Sequence, residues 1–138
     1  KETRAARMQG IQFFFGAIDM VSEVTAEVSE DQNPYEMIAT TFPQGTLSGA
    51  PKYRAMQLID EYEKTSRSFY GGSIGFVGFD GSCNQAIMIR TFLSKNNTLF
   101  YQAGAGIVAK SSPENELQEV NNKLGALKKA ILKAEKLI

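Results

Sequence analysis

Glu116, Glu119 and Lys123 stand three and four residues apart, in a segment whose spacing predicts one long helix. At those intervals all three side chains project from a single helix face. Two carboxylates so placed could ligate a hard divalent cation such as Mg²⁺, which keeps several waters and meets an anionic substrate. They could equally be acidic residues favoured by the helix dipole, with an exposed Glu–Lys pair of small energetic weight.

Other candidates lie upstream. Gly104-Ala105-Gly106 follows a strand-like run. Glycines let a ligand carboxylate approach backbone N–H groups, although a strand-end bulge explains them as well. No third glycine opens a helix at the spacing of a dinucleotide fingerprint. Arg90 sits in the apolar run Ile87-Met88-Ile89-Arg90-Thr91. Strand alternation over Asn84–Leu93 would give it a face with Ala86, Met88 and Phe92. On that reading it points either to solvent or into a cleft, where its planar fork suits a carboxylate. Thr46 and Ser48, in Gly45-Thr46-Leu47-Ser48-Gly49-Ala50-Pro51-Lys52, could bond such a group or cap the next helix. That loop lacks the Walker spacing. Tyr70, before Gly71-Gly72, could place a phenol in a cleft or pack on the core.

Composition narrows the chemistry. Among 138 residues there is no histidine, which excludes Ser-His-Asp, Cys-His and histidine-bearing metal sites. Acid–base or metal work would fall to carboxylates, Lys or Tyr. Fifteen basic residues balance fifteen acidic ones, so neither a nucleic-acid nor an anionic-membrane surface is indicated. Cys83 stands alone in a turn-like context, excludes an intrachain disulfide and fits a reducing cytoplasm. No apolar run reaches membrane-spanning length.

The elements that must position these residues follow from periodicity. Lys1–Gly10 has no clear pattern, Ile11–Phe15 reads as a strand, and Ile18–Val28 alternates as a half-buried one. Asn33-Pro34 opens a short helix to about Thr41, and Phe42–Pro51 reads as a loop. Lys52–Lys64 is a second helix. Strands over Ser73–Asp80, Asn84–Leu93 and Thr98–Ala103, with turns at Asp80-Gly81-Ser82 and Asn96-Asn97, suggest an antiparallel meander. Ser112 caps the final helix, Pro113 to about Leu137, whose apolar stripe is Leu117, Val120, Leu124, Leu127, Ile131 and Ala134. The expected class is α+β, an antiparallel sheet packed by helices.

The order of these motifs carries a resemblance. Pro43 through Lys52, Arg54-Ala55-Met56, Tyr70-Gly71-Gly72, Ile89-Arg90-Thr91, Gln102 through Val108 and Asn122-Lys123 follow one pattern. The chain resembles the C-terminal part of the chorismate-binding domain of anthranilate synthase component I, from about Val21 onward. Residues 1–20 form a poorly matching lead-in and 21–138 the matching portion. The Gly-Thr-Leu-Ser-Gly-Ala-Pro-Lys wording is closer to anthranilate synthase than to aminodeoxychorismate synthase, which remains an alternative with the same substrate.

The resemblance implies a cytoplasmic lyase of tryptophan biosynthesis. Mg²⁺-bound chorismate would gain an amino group from ammonia and lose pyruvate to give anthranilate, with a separate glutaminase (glutamine amidotransferase) subunit supplying the ammonia. It implies Glu119 as a Mg²⁺ ligand with Glu116 beside it. Thr46, Tyr70, Arg90, Gly104, Ala105, Gly106 and Lys123 would hold chorismate. Two departures stand out. Asp19, in Asp19-Met20-Val21-Ser22, occupies the place of the family's catalytic histidine, and Ala109-Lys110-Ser111 replaces Ala-Asp-Ser. Further metal-binding glutamates are expected upstream of Lys1. A non-catalytic fragment that docks a partner chain is the alternative from another class, and a homo-oligomer is compatible with either.

Overall fold

The computed structural model describes residues 9–14, 17–27 and 33–137, with side chains given for 23–27 and 33–137. Strands β1 (Gln9–Phe14) and β2 (Ala17–Ser22) form an antiparallel hairpin in which Gln9 faces Ser22 and Phe14 faces Ala17. β1 thus begins inside the stretch that reads as patternless. The alternation expected over Ile18–Val28 does not continue as strand. Residues 23–27 are not strand, and Val24 is exposed. Phe15 and Val28 lie outside the described residues, as does the side chain of Asp19, whose backbone pairs with Gln12.

Helix α1 (Pro34–Thr41) starts where the sequence predicts. Asn33 Oδ1 accepts a hydrogen bond from the Tyr35 N–H at 2.9 Å, and proline fills the first helical position, where no N–H is needed. The expected loop after it contains a single helical turn, α2 (Gly45–Ser48). Ser48 is buried and its hydroxyl donates to the Gln44 carbonyl at 3.2 Å, so it serves α2 itself. It does not cap α3 (Lys52–Tyr62), which Pro51 precedes without a side-chain cap.

β3 (Ser73–Val77) and β4 (Cys83–Ile87) pair across a turn in which Asp80 Oδ1 accepts from the Ser82 N–H at 3.0 Å. β5 (Leu93–Lys95) and β6 (Thr98–Phe100) pair across Asn96-Asn97. Both asparagines adopt positive φ, 51° and 56°, as a two-residue hairpin turn of this twist requires. The strands therefore make separate two-stranded hairpins, not one meander. The ladder is lost after Ile87 because the backbone turns there: the Ile89 N–H bonds to the Ile87 carbonyl at 3.1 Å, and Arg90 takes φ +52°.

α4 (Pro113–Ala134) ends in a 3₁₀ turn, Glu135–Leu137. Ser112 Oγ accepts from the Asn115 N–H at 3.3 Å. Leu127 is buried, with Val120, Leu124 and Ile131 half-buried along the same stripe, whereas Leu117 is exposed. The class is α+β with antiparallel strands, as expected. Few described side chains are enclosed. Ile74 and Phe76 on β3 and Phe79 in its turn stay open to solvent. None of the helices among the described residues is long and apolar enough to cross a membrane.

Candidate functional site

Tyr70 lies half-buried in the turn after α3. Gly71 takes φ +78°, a conformation that L side chains rarely adopt. It is buried beneath the Leu47 side chain, whose Cδ1 would lie 3.3 Å from any added Cβ. The Gly71 N–H donates to the Met88 carbonyl and the Met88 N–H to the Gly72 carbonyl, both at 2.9 Å. These bonds draw the segment after β4 alongside the Tyr70 turn.

A cavity of about 140 Å³ lies where these segments meet. Thr46 and Leu47 come from α2, Tyr70 from the turn, Ile89 and Arg90 from the segment after β4. Gln102, Ala103 and Gly104 come from the segment after β6, which ends at Phe100 and not at Ala103 as expected, and Lys123 and Leu127 come from α4. Arg90 reaches the cavity for a different reason from the alternation expected of it. It lies beyond β4, and its left-handed backbone sets its direction. Such conformations are uncommon for bulky residues and cost about 1–3 kcal/mol each. Among the described residues no carboxylate or carbonyl takes up the Arg90 guanidinium, which leaves its fork free for an anion.

Gly104 is the meeting point of two other site residues. A Cβ added there would sit 3.1 Å from the Tyr70 hydroxyl. The Gly104 carbonyl accepts a hydrogen bond from Lys123 Nζ at 2.8 Å, and Lys123 also ion-pairs with Glu119. Thr46, Tyr70, Arg90, Gly104 and Lys123 therefore share one cavity. Ala105 is half-buried and Gly106 exposed, and neither lines it. Glu119 connects to the cavity through Lys123, whereas Glu116 is half-buried one turn earlier on α4.

The carboxylates allow a limited fit to a metal. Among the described residues there is no cluster of three or more metal-ligating side chains. Glu116 and Glu119 alone suit a cation that takes about one or two protein carboxylates and fills its shell with water and substrate oxygens, as Mg²⁺ does.

Sequence reasoning left several participants unassigned. Leu127 was legible only as part of the helical stripe. Gln102 and Ile89 stood at the edges of two of the ordered motifs, with no role of their own assigned. Arg67 was marked solely by its spacing of four from Glu63, which it contacts beyond the end of α3.

Comparison with known proteins follows from this geometry. A model of the chorismate binding enzyme family matches residues 6–129. Anthranilate synthase component 1 of Bacillus pumilus is 51% identical over 122 residues, 88% of this chain and 24% of that protein. Its counterpart in Aquifex aeolicus (strain VF5) is 45% identical over 132 residues, 96% of this chain and 27% of that protein. The crystal structure of anthranilate synthase component I from Streptococcus pneumoniae TIGR4 superposes with a TM-score of 0.83 at 36% identity, covering 91% of this chain and 29% of that one. The chain spans about a quarter of the length of the curated relatives it matches.

Proposed function

The chain belongs to the family of chorismate binding enzymes, and we propose that it forms the part of an anthranilate synthase large subunit that grips the carboxylates of chorismate. The observation that carries this reading is that Arg90, whose guanidinium has no hydrogen-bond or ion-pair partner among the described residues, lines the same cavity as Lys123, Tyr70 and Gly104. Chorismate is a dicarboxylate. An arginine fork takes one carboxylate bidentately, and a neighbouring ammonium and phenol hydroxyl supply further donors.

Each residue has a task in this reading. Arg90 binds and orients. Lys123, held by Gly104 and Glu119, adds positive charge without swinging free. Gly104 admits the Tyr70 hydroxyl where any side chain would crowd it. Leu47, Ile89 and Leu127 provide apolar walls that keep water from competing for the donors. Glu116 and Glu119 would hold Mg²⁺, which when bound supplies Lewis-acid polarisation and a template for the substrate. A cavity of about 140 Å³ is smaller than the roughly 300–1,000 Å³ usual for small-molecule sites, which suits a carboxylate-binding wall more than a whole enclosure.

The same reading makes the intact enzyme a cytoplasmic lyase that receives ammonia from a glutaminase subunit. This chain has no histidine, and Asp19 stands where the family's histidine is expected. We therefore expect binding without turnover. Incubation with chorismate, Mg²⁺ and ammonia should give no anthranilate fluorescence, while chorismate with Mg²⁺ should raise the chain's melting temperature, since a ligand bound only by the folded state stabilises it. Absence of any such shift would refute the proposed site.

A further inference from the structure

Arg67 lies outside the cavity, yet it contacts two of the segments that build it. Its Nη1 donates to the Leu47 carbonyl at 2.8 Å, a part-buried bond spanning twenty residues. Its guanidinium carbon lies 5.9 Å from the centre of the Tyr70 ring. Nε donates to Glu63 Oε2 at 2.7 Å, and Nη2 to Glu63 Oε1. The bidentate grip of Glu63 fixes the plane of the guanidinium, and that plane determines where the remaining donor and the π-facing surface point.

We propose that Arg67 is the positioning residue of the carboxylate cavity: it holds the Leu47 carbonyl and the Tyr70 ring at a fixed separation, and so sets the width between two of the cavity's walls. Leu47 and Tyr70 both line that cavity, while Arg67 itself does not, so its influence passes through them. The Leu47 side chain over Gly71 adds a second contact between the same two segments, on the apolar side. Arginine is needed because three jobs fall on one head group. A lysine ammonium is a point charge that cannot serve a bidentate carboxylate, a carbonyl and an aromatic face in fixed directions at once. Arg67 is thereby distinct from Arg90, which lines the cavity and whose guanidinium is taken up by no other side chain or carbonyl among the described residues.

The ligand's identity rests on the function proposed above, but the geometric claim does not. The test uses the whole chain with ¹³C-labelled tyrosine rings, the Tyr70 resonance being assigned with Tyr70→Phe. In Arg67→Lys the Tyr70 ring resonance should move while those of Tyr35, Tyr53, Tyr62 and Tyr101 hold. Benzoate with Mg²⁺, as the carboxylate probe, should bind about tenfold more weakly, in line with the cost of small misplacements at a built site. Glu63→Gln, which loosens the bidentate grip but leaves Arg67 in place and should fold normally, is expected to move the same resonance less. An unmoved Tyr70 resonance in both variants would overturn the proposal. So would equal displacement of all five tyrosines, because that marks a merely structural role. If the unaltered chain binds no benzoate, the functional reading fails, and the Tyr70 resonance alone still decides the role of Arg67.

Discussion

Lys123 Nζ donates a hydrogen bond to the carbonyl of Gly104, at 2.8 Å and across nineteen residues, while the same ammonium pairs with Glu119. One cation thus ties the glycine-bearing segment after β6 to the helix that carries both candidate metal ligands. This contact joins the Gly-Ala-Gly stretch to the acidic helix that follows it in the sequence.

Replacing Lys123 with Met should loosen that tie. A hydrogen bond from a charged donor contributes about 1.5–3 kcal/mol, and the exposed ion pair with Glu119 adds about 0–1. Urea denaturation should show a loss of about 2 kcal/mol, and amide exchange over residues 102–106 should quicken. Unchanged exchange there would mean that the contact constrains nothing.

Gly104→Ala should disturb Tyr70 first. The added methyl would meet the phenol hydroxyl at 3.1 Å, closer than ordinary packing, so the ring must give way. We expect about a tenfold loss in chorismate affinity, a cost of roughly 1.4 kcal/mol. Removing the hydroxyl with Tyr70→Phe should relieve the crowding, so the double variant should be better than the sum of the two single losses. Strict additivity in the double-mutant cycle would show that the two residues do not interact.

Acid should weaken the Arg67 clamp. Hydrogen bonds from Arg67 hold the Glu63 carboxyl below the usual range, against a smaller opposing effect of burial. A folded-state pKa below the unfolded value stabilises the protein above the unfolded value, near 4.3, and that contribution disappears as pH falls through the folded one. Because the Glu63 side chain is 37% exposed, its contribution is below about 1 kcal/mol. The stability difference between the unaltered chain and Glu63→Gln should therefore be largest above about pH 5 and shrink on acidification. A difference independent of pH would contradict the assignment.

The sequence carried the local chemistry well and the long-range geometry poorly. Caps at Asn33 and Ser112 and the turn at Asn96-Asn97 were legible because each is decided by neighbouring residues. The second strand was extended past Ser22 into residues 23–27, which are not strand, since alternation of residue types does not by itself fix where a strand ends. Arg90 was expected on a strand face, but its approach to the cavity comes from a left-handed backbone beyond β4. Nothing in the local pattern of aliphatics announces that turn. Arg67 was missed because its bond to Leu47 spans twenty residues. The order of the motifs nevertheless marked Thr46, Tyr70, Arg90, Gly104 and Lys123, which meet at one cavity, whereas Ala105 and Gly106 lie beside it.

Magnesium dependence should follow Glu119. In Glu119→Gln the enhancement of chorismate binding by Mg²⁺ should disappear, and Mn²⁺ used as a paramagnetic substitute should no longer broaden the resonances of residues 116–123. Persistence of both effects would place the metal elsewhere.

The most direct test of the account is calorimetric titration of the chain with chorismate in the presence of Mg²⁺, compared with Arg90→Gln. Binding should be measurable for the unaltered chain. It should weaken at least about tenfold in the variant, because charged hydrogen bonds to a carboxylate contribute about 1.5–3 kcal/mol. Equal affinities for the two proteins, or no binding to either, would contradict the claim that this cavity receives a carboxylate of chorismate through Arg90.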